Sequence, residues 1–308
     1  MTNDLATNVL NEVRKAVVGK DEILAKALLA ILAGGHILME DIPGVGKTTL
    51  AVAFSKALGL TYKRVQFTPD VMPSDLTGFS IYNKETGAMD YQPGALLCNL
   101  FLADELNRAT SRTQSALLEA MEEGQVTVDG VSRPVPRPFL VIATQNPAGA
   151  SGTQPLPDSQ MDRFMVRLSL GYPDEENEVE MLRRKQRGNP MEAVKQITDG
   201  PGLELVRQQV AGVYISDEIA QYMVRLTAAT RTHPLVYQGG SPRATLAVAA
   251  MSRAMAWVQG RDYVVPQDVK GIFRDTVSHR LLLTGRGVSE GADPAGDALK
   301  QVSAPAIA

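Results

Sequence analysis

Apolar residues recur at helical spacing where the chain begins. Leu5, Val9, Val13 and Val17 share one face, which predicts an amphipathic helix closing at Val17-Val18-Gly19. A second helix is expected from about Asp21, read as its N-cap, to Ala33, with Gly34 and Gly35 as the stop. The pattern then changes. Residues 37–39, 100–103 and 139–143 are short unbroken apolar runs, the mark of strands buried on both faces. Residues 62–67 and 165–170 supply two further strands. Helices are expected between them, over 48–58 and from Ser111-Arg112-Thr113-Gln114, read as a capping box, to the stop at Gly124. Met72-Pro73-Ser74-Asp75 reads as a turn.

Two hairpins interrupt this alternation. One spans about 80–91, with turn residues 83–87; the other spans about 125–138 and turns at Asp129-Gly130. Pro134, Pro136 and Pro138 bar the second from the middle of a sheet. From Pro173 onward only helices are predicted. Asp174 caps one with an acidic first turn and a basic last turn, Ser216 caps another, and Ser241-Pro242 and Pro266 open two more. The fold class that follows is α/β. Residues 1–172 form a parallel five-stranded sheet covered on both faces, and residues 173–285 a smaller all-helical domain. Residues 286–308, rich in Gly, Ala, Pro and Ser, are expected to be loosely ordered.

Composition narrows the functions. A net charge of −3 over 308 residues argues against bulk nucleic-acid binding. A single cysteine, Cys98, excludes an internal disulfide framework. With no apolar leader and no uninterrupted membrane-length run, a cytoplasmic location is expected.

The candidate chemistry lies at strand ends. The run at 37–39 leads into Asp41-Ile42-Pro43-Gly44-Val45-Gly46-Lys47-Thr48 and a helix, the form of a phosphate-binding loop. Backbone N–H groups wrap a polyphosphate, Lys47 reaches the terminal phosphates, and Thr48 offers a hydroxyl to Mg²⁺. Asp41 stands where the pattern has its first Gly. Asp104 and Glu105 close the next apolar run; the first is placed to hold Mg²⁺ and the second to polarise an attacking water. Asn146 ends a further buried strand and its amide can reach the same water or the γ-phosphate. Arg243 is the second residue of its helix, where a cation opposes the dipole, so an anion is expected nearby. Arg163 is a candidate arginine finger supplied to a neighbour, with Arg108 and Arg112 as rivals. His36, His233 and His279 lack metal-ligand spacing.

These motifs, in this order, resemble the AAA+ ATPases. QFTPDVMPSDLTG and DELNRATSRTQSALLEAMEEGQVTVDG resemble the MoxR family more narrowly, as do the EDxPGxGKT form of the loop, with its Asp41, and the QNP at 145–147. The resemblance runs from about 18 to 283. It implies an αβα ATPase core with a helix-2 insert at about 80–91 and a pre-sensor hairpin at about 125–138, then a helical lid. It further implies ATP and Mg²⁺ as cofactors, with Pro43, Gly44, Val45, Gly46, Lys47, Thr48 and Thr49 around the phosphates and Val18 and Gly19 beside the adenine. Asp104 and Glu105 match Walker B, Asn146 sensor 1, Arg163 the arginine finger and Arg243 sensor 2. MoxR-like proteins form hexameric rings, and many act with von Willebrand factor A domain partners as chaperone-like remodellers. The alternative is a nucleic-acid motor of the same clade. The acidic hairpin turn at Asp129, with Arg133 and Arg137 only further along, is a poor grip for DNA.

Overall fold

Unbroken apolar runs and short polar returns build a sheet whose strands all point one way. The computed structural model describes residues 3–146 and 156–306. Pro147 and the greater part of the loop expected before residue 159 lie outside the described residues. In chain order, α1 (Asp4–Ala16) and α2 (Asp21–Leu32) precede β1 (Ile37–Glu40), and α3 (Lys47–Ala57) leads to β2 (Tyr62–Gln66). Next come α4 (Pro73–Thr77), the hairpin strands β3 (Gly78–Tyr82) and β4 (Met89–Pro93), and β5 (Leu100–Asp104). They are followed by α5 (Ser111–Glu123), the second hairpin β6 (Gln125–Val128) and β7 (Val131–Pro134), and β8 (Leu140–Gln145). Short α6 (Asp158–Met161) enters β9 (Val166–Leu168). The sheet order is β2-β5-β8-β1-β9, every pair parallel.

Period-2 alternation sorts the strand residues into two cores. Leu38, Phe101, Ala103, Val141 and Ala143 face α5 through Leu117 and Leu118. Ile37, Met39, Leu100, Leu102 and Ile142 face α2 and α3. Each large side chain buried this way contributes about 1.5–3 kcal/mol relative to exposure. The second core continues through α2 into the C-terminal helices, taking in Val248, Met251, Ile272 and Phe273. No polar seam separates the two parts on this side.

The C-terminal part holds α7 (Glu175–Gln186), α8 (Gly200–Ala211), α9 (Asp217–Arg231), β10 (Val236–Gln238), α10 (Pro242–Val258) and α11 (Pro266–Val277). It ends with β11 (Leu282–Leu283), α12 (Gly285–Ser289) and α13 (Pro294–Gln301). Several expectations change. The lid is helical except for an antiparallel pair, β10 with β11. Of the segment expected to be a loose tail, residues 286–306 are described and are ordered: α13 buries Ala295 and Ala298, and its Asp293 cap accepts from Gly296 N at 3.0 Å. Gly and Ala lowered the apparent apolarity of that segment, although alanines are what a close helix contact needs. Helix α8 was masked by Gly200 and Gly202, yet its Asp199 cap and Pro201 were legible start signals. Asp21 is the first helical residue and Lys20 the cap position. Thr110, not Ser111, caps α5. Met72 to Asp75 opens α4 rather than making a plain turn.

Candidate functional site

A cradle for phosphate forms where β1 gives way to α3. Gly44 and Gly46 take φ of +88° and +101°, values only glycine adopts cheaply, and no atom lies within 4 Å of where a side chain would stand on either. The loop therefore presents open backbone at the positive end of α3. Lys47 is buried; its Nζ donates to Asp41 O at 2.6 Å and Ile42 O at 3.2 Å. Burial lowers its pKa, while the charges of Asp41, Asp104 and Glu105 oppose that shift. The loop lysine and both candidate carboxylates therefore share one field.

Asp41 has a structural task that sequence reasoning did not find. Its carboxylate accepts from Ser169 Oγ at 2.7 Å, Leu170 N at 2.6 Å and Gly171 N at 3.0 Å. It pins the start of the loop to the chain leaving β9, which a glycine there could not do.

Asp104 and Glu105 sit at the end of β5, next to β8. Thr144, fully buried in β8, joins them: its Oγ1 donates to Asp104 Oδ1 at 2.6 Å and accepts from Glu105 N at 2.9 Å. Arg64 Nη2 donates to Asp104 Oδ2 at 2.7 Å. Glu105 holds a left-handed backbone at φ +58°, ψ +44°, a strained conformation for a residue with a side chain. Its Oε2 accepts from Arg108 Nη1 at 2.9 Å. Asn146 follows β8 directly, and its backbone oxygen accepts from Asn107 Nδ2 at 3.2 Å. Thr144 and Asn107 were not singled out from the sequence. Thr144 had one signal, an i−2 offset from Asn146 that puts it on the same strand face.

The donor set fits Mg²⁺. Thr48 and Asp104 offer hard oxygen ligands. Among the described residues no group of three His, Cys, Asp or Glu could hold a metal unaided. A cation held here would share its coordination with phosphate and water, as Mg²⁺ characteristically does.

Beside the loop lies a cavity of about 710 Å³, within the usual size of a small-ligand site. Val18, Pro43, Val45 and Thr49 line one wall; Tyr172, Met181 and Leu182 line the other. Helix α7 buries none of its residues, and Leu182 is 66% exposed. Met181 and Leu182 thus face the cavity rather than a core. Gly19 turns at φ +68° with no room for a side chain against Asn177 of α7.

Arg163 and Arg243 lie elsewhere. Strand β1 begins next to His36, whose Nε2 pairs with Met121 O at 3.2 Å near the end of α5. The neighbouring Glu122 accepts from Arg163 Nη2 at 2.9 Å through Oε2 and from Arg243 Nη2 at 2.5 Å through Oε1. Arg163 immediately precedes β9, where Met165 N donates to His36 O at 2.8 Å. Both arginines are therefore at the edge where strands begin, and the loop and carboxylates at the edge where they end. Arg243 is not brought to the phosphate loop of its own chain; its anion is Glu122. A carboxylate in the last turn of α5 opposes the helix dipole, a signal in the sequence that could have marked Glu122.

Comparison with known proteins bears on the family and the fold. Residues 36–166 match the ATPase family associated with various cellular activities (AAA), and residues 228–301 match the AAA lid domain. The chain is 42% identical to the uncharacterized protein YeaC of Bacillus subtilis over 93% of its length and 90% of that relative. It is 39% identical to Chaperone MoxR1 of Mycobacterium tuberculosis over 92% of its length and 77% of that relative. The fold superposes on a crystal structure of a Cytophaga hutchinsonii protein proposed to be an ATPase, with a TM-score of 0.90, 37% identity, and 98% and 96% of the two chains covered. Sequence, sheet order and lid together show that this chain belongs to the MoxR family of AAA+ ATPases.

Proposed function

We propose that the protein is a Mg²⁺-dependent ATPase whose site is completed by a second copy of the chain in a hexameric ring. The observation that carries this is the separation of the charges. Strand β1 is four residues, about 13 Å, long; the loop follows where it ends, and Arg163 and Arg243 lie on the side where it starts. They fit the terminal phosphate of a neighbour's nucleotide better than their own. Arg163 Nε, like Arg108 Nε, is buried without a hydrogen-bond partner among the described residues, which leaves donor capacity for an anion. Arg108, a rival for the trans role, is engaged with Glu105 of its own chain.

The roles follow from position. Backbone N–H groups of residues 44–49 and the side chain of Lys47 grip the phosphates, and Val18 and Gly19 border the base. Thr48 and Asp104 would hold Mg²⁺, which neutralises phosphate charge. Glu105 orients and accepts a proton from the attacking water, with Asn146 beside it. Turnover in a cytoplasmic ring would drive chaperone-like remodelling of a client, with a von Willebrand factor A domain protein as partner. The relative named Chaperone MoxR1 supports that direction. The nucleic-acid alternative is weakened by Arg133, whose guanidinium lies 3.9 Å over the Tyr91 ring and donates to Val128 O and Val131 O, so that it is used between the hairpins. Glu105→Gln tests the reading. ATP binding should persist while hydrolysis falls by roughly 10²–10⁴, and the ATP-held variant should retain a partner in pull-downs. Hydrolysis at the wild-type rate would place the base elsewhere.

A further inference from the structure

The residues flanking Arg163 are hydrogen-bonded to the lid, while the Phe164 side chain packs in the core under the sheet. Asp162 and Phe164 bracket it in sequence. Arg280, just beyond α11 and buried, donates through Nη1 to Asp162 Oδ1 at 2.6 Å and Asp162 O at 2.9 Å, and through Nη2 to Phe164 O at 2.6 Å. Its Nε donates to Thr276 O at 2.9 Å. His279 Nε2 pairs with the same Phe164 O at 3.0 Å. The other carboxylate oxygen, Asp162 Oδ2, accepts from Ser241 Oγ at 3.0 Å. Ser241 in turn caps α10, accepting from Ala244 N at 3.2 Å, two residues before Arg243. Asp162 therefore ties the loop of Arg163 to the helix start that carries Arg243, and Arg280 locks both to α11.

We propose that Arg280 is a positioning residue, which through Asp162 and Ser241 fixes Arg163 and Arg243 as one rigid pair for delivery to a neighbouring subunit. A guanidinium suits the task because its planar group satisfies three main-chain oxygens and a carboxylate together, which a lysine cannot. Glu122 receives both arginines on its two oxygens, so their spacing is already set in the single chain. The inference rests on the trans role of Arg163 proposed above.

The experiment uses full-length chains mixed into joint rings. Arg280→Gln alone should lose hydrolysis to the same extent as Arg163→Ala, tenfold or more, while its nucleotide affinity stays within twofold of wild type. Mixed with Glu105→Gln chains, whose arginines are intact and whose own sites are dead, both variants should regain activity to a similar degree. Asp162→Asn, which keeps the shape and weakens the ion pair, should show a smaller loss with the same rescue. It serves as the readout if Arg280→Gln does not fold. A folded Arg280→Gln ring at the wild-type rate overturns the proposal, as does a slowed ring that Glu105→Gln chains fail to rescue while they do rescue Arg163→Ala. If Arg163→Ala itself is not rescued, the trans reading falls, and with it the basis of the proposal.

Discussion

The two edges of the central sheet are built on different principles. Where strands end, the chain exposes backbone and strains one residue, although Asp104 and Glu105 are paired with Arg64 and Arg108. Gly44 and Gly46 leave an open loop, Lys47 rests on carbonyl oxygens, and Glu105 keeps a left-handed backbone. Where strands begin, charges are compensated and tied: Glu122 takes two arginines and Asp162 takes Arg280 and Ser241. The first edge is arranged to receive a ligand. The second keeps two cations at fixed spacing on Glu122. In the proposed ring, one chain would carry the two halves of one reaction centre on opposite sides.

Removal of the arginines separates the edges most sharply. Arg163→Ala should lower turnover by roughly 10³–10⁵, the range of a finger supplied in trans, with ATP binding nearly unchanged. Arg243→Ala should fall in the same direction with a smaller loss. Steady-state hydrolysis together with fluorescent-nucleotide binding checks both. A loss of binding equal to the loss of turnover would mean that the second edge serves its own chain after all.

Thr144→Val probes the first edge with a change of almost no volume. It removes the donor to Asp104 and leaves Glu105 N without its acceptor. A hydrogen bond to a charged group is worth about 1.5–3 kcal/mol, so turnover should drop by roughly tenfold to a hundredfold while ring assembly is kept. Unchanged turnover would show that Asp104 and Glu105 hold their positions without the bridge.

The sheet was legible because its strands are buried on both faces and read as unbroken apolar runs. Sites at strand ends were legible for the same reason: Asp104, Glu105 and Asn146 interrupt such runs abruptly. What the sequence hid was pairing over long separations. Asp41 looked like a departure from the loop pattern until its carboxylate was seen on residues 169–171, and Arg243 looked like a phosphate ligand because nothing local revealed Glu122. The ordered end of the chain was missed because small residues that pack closely resemble small residues that do not pack. A helix read only for large apolar positions overlooks Ala295 and Ala298, which are buried in α13.

Acidification should loosen the second edge first, and by the smallest margin of these tests. Two buried histidines are at that edge. His36 accepts from Val141 N at 3.0 Å through Nδ1 and faces Met121 O through Nε2, and His279 faces Phe164 O. Burial lowers His36 from 6.5 to about 4 and His279 from 6.5 to about 3. Their folded values lie below the unfolded one, so the unfolded chain binds protons that the folded chain refuses. The stability this gives is fully present above about pH 6.5 and is lost as pH falls from there toward 4 and 3. At pH 5.5 the loss is about 1 kcal/mol per histidine. Hydrogen exchange at the amides of Val141 and Met165 should therefore quicken between pH 6.5 and 5.5 more than the pH dependence of intrinsic exchange allows, while amides of α3 follow intrinsic exchange. His36→Gln, which keeps a donor toward Met121 O, should remove about half of the slope in the melting temperature over that interval. A slope that survives the change in full would assign the acid sensitivity to other groups.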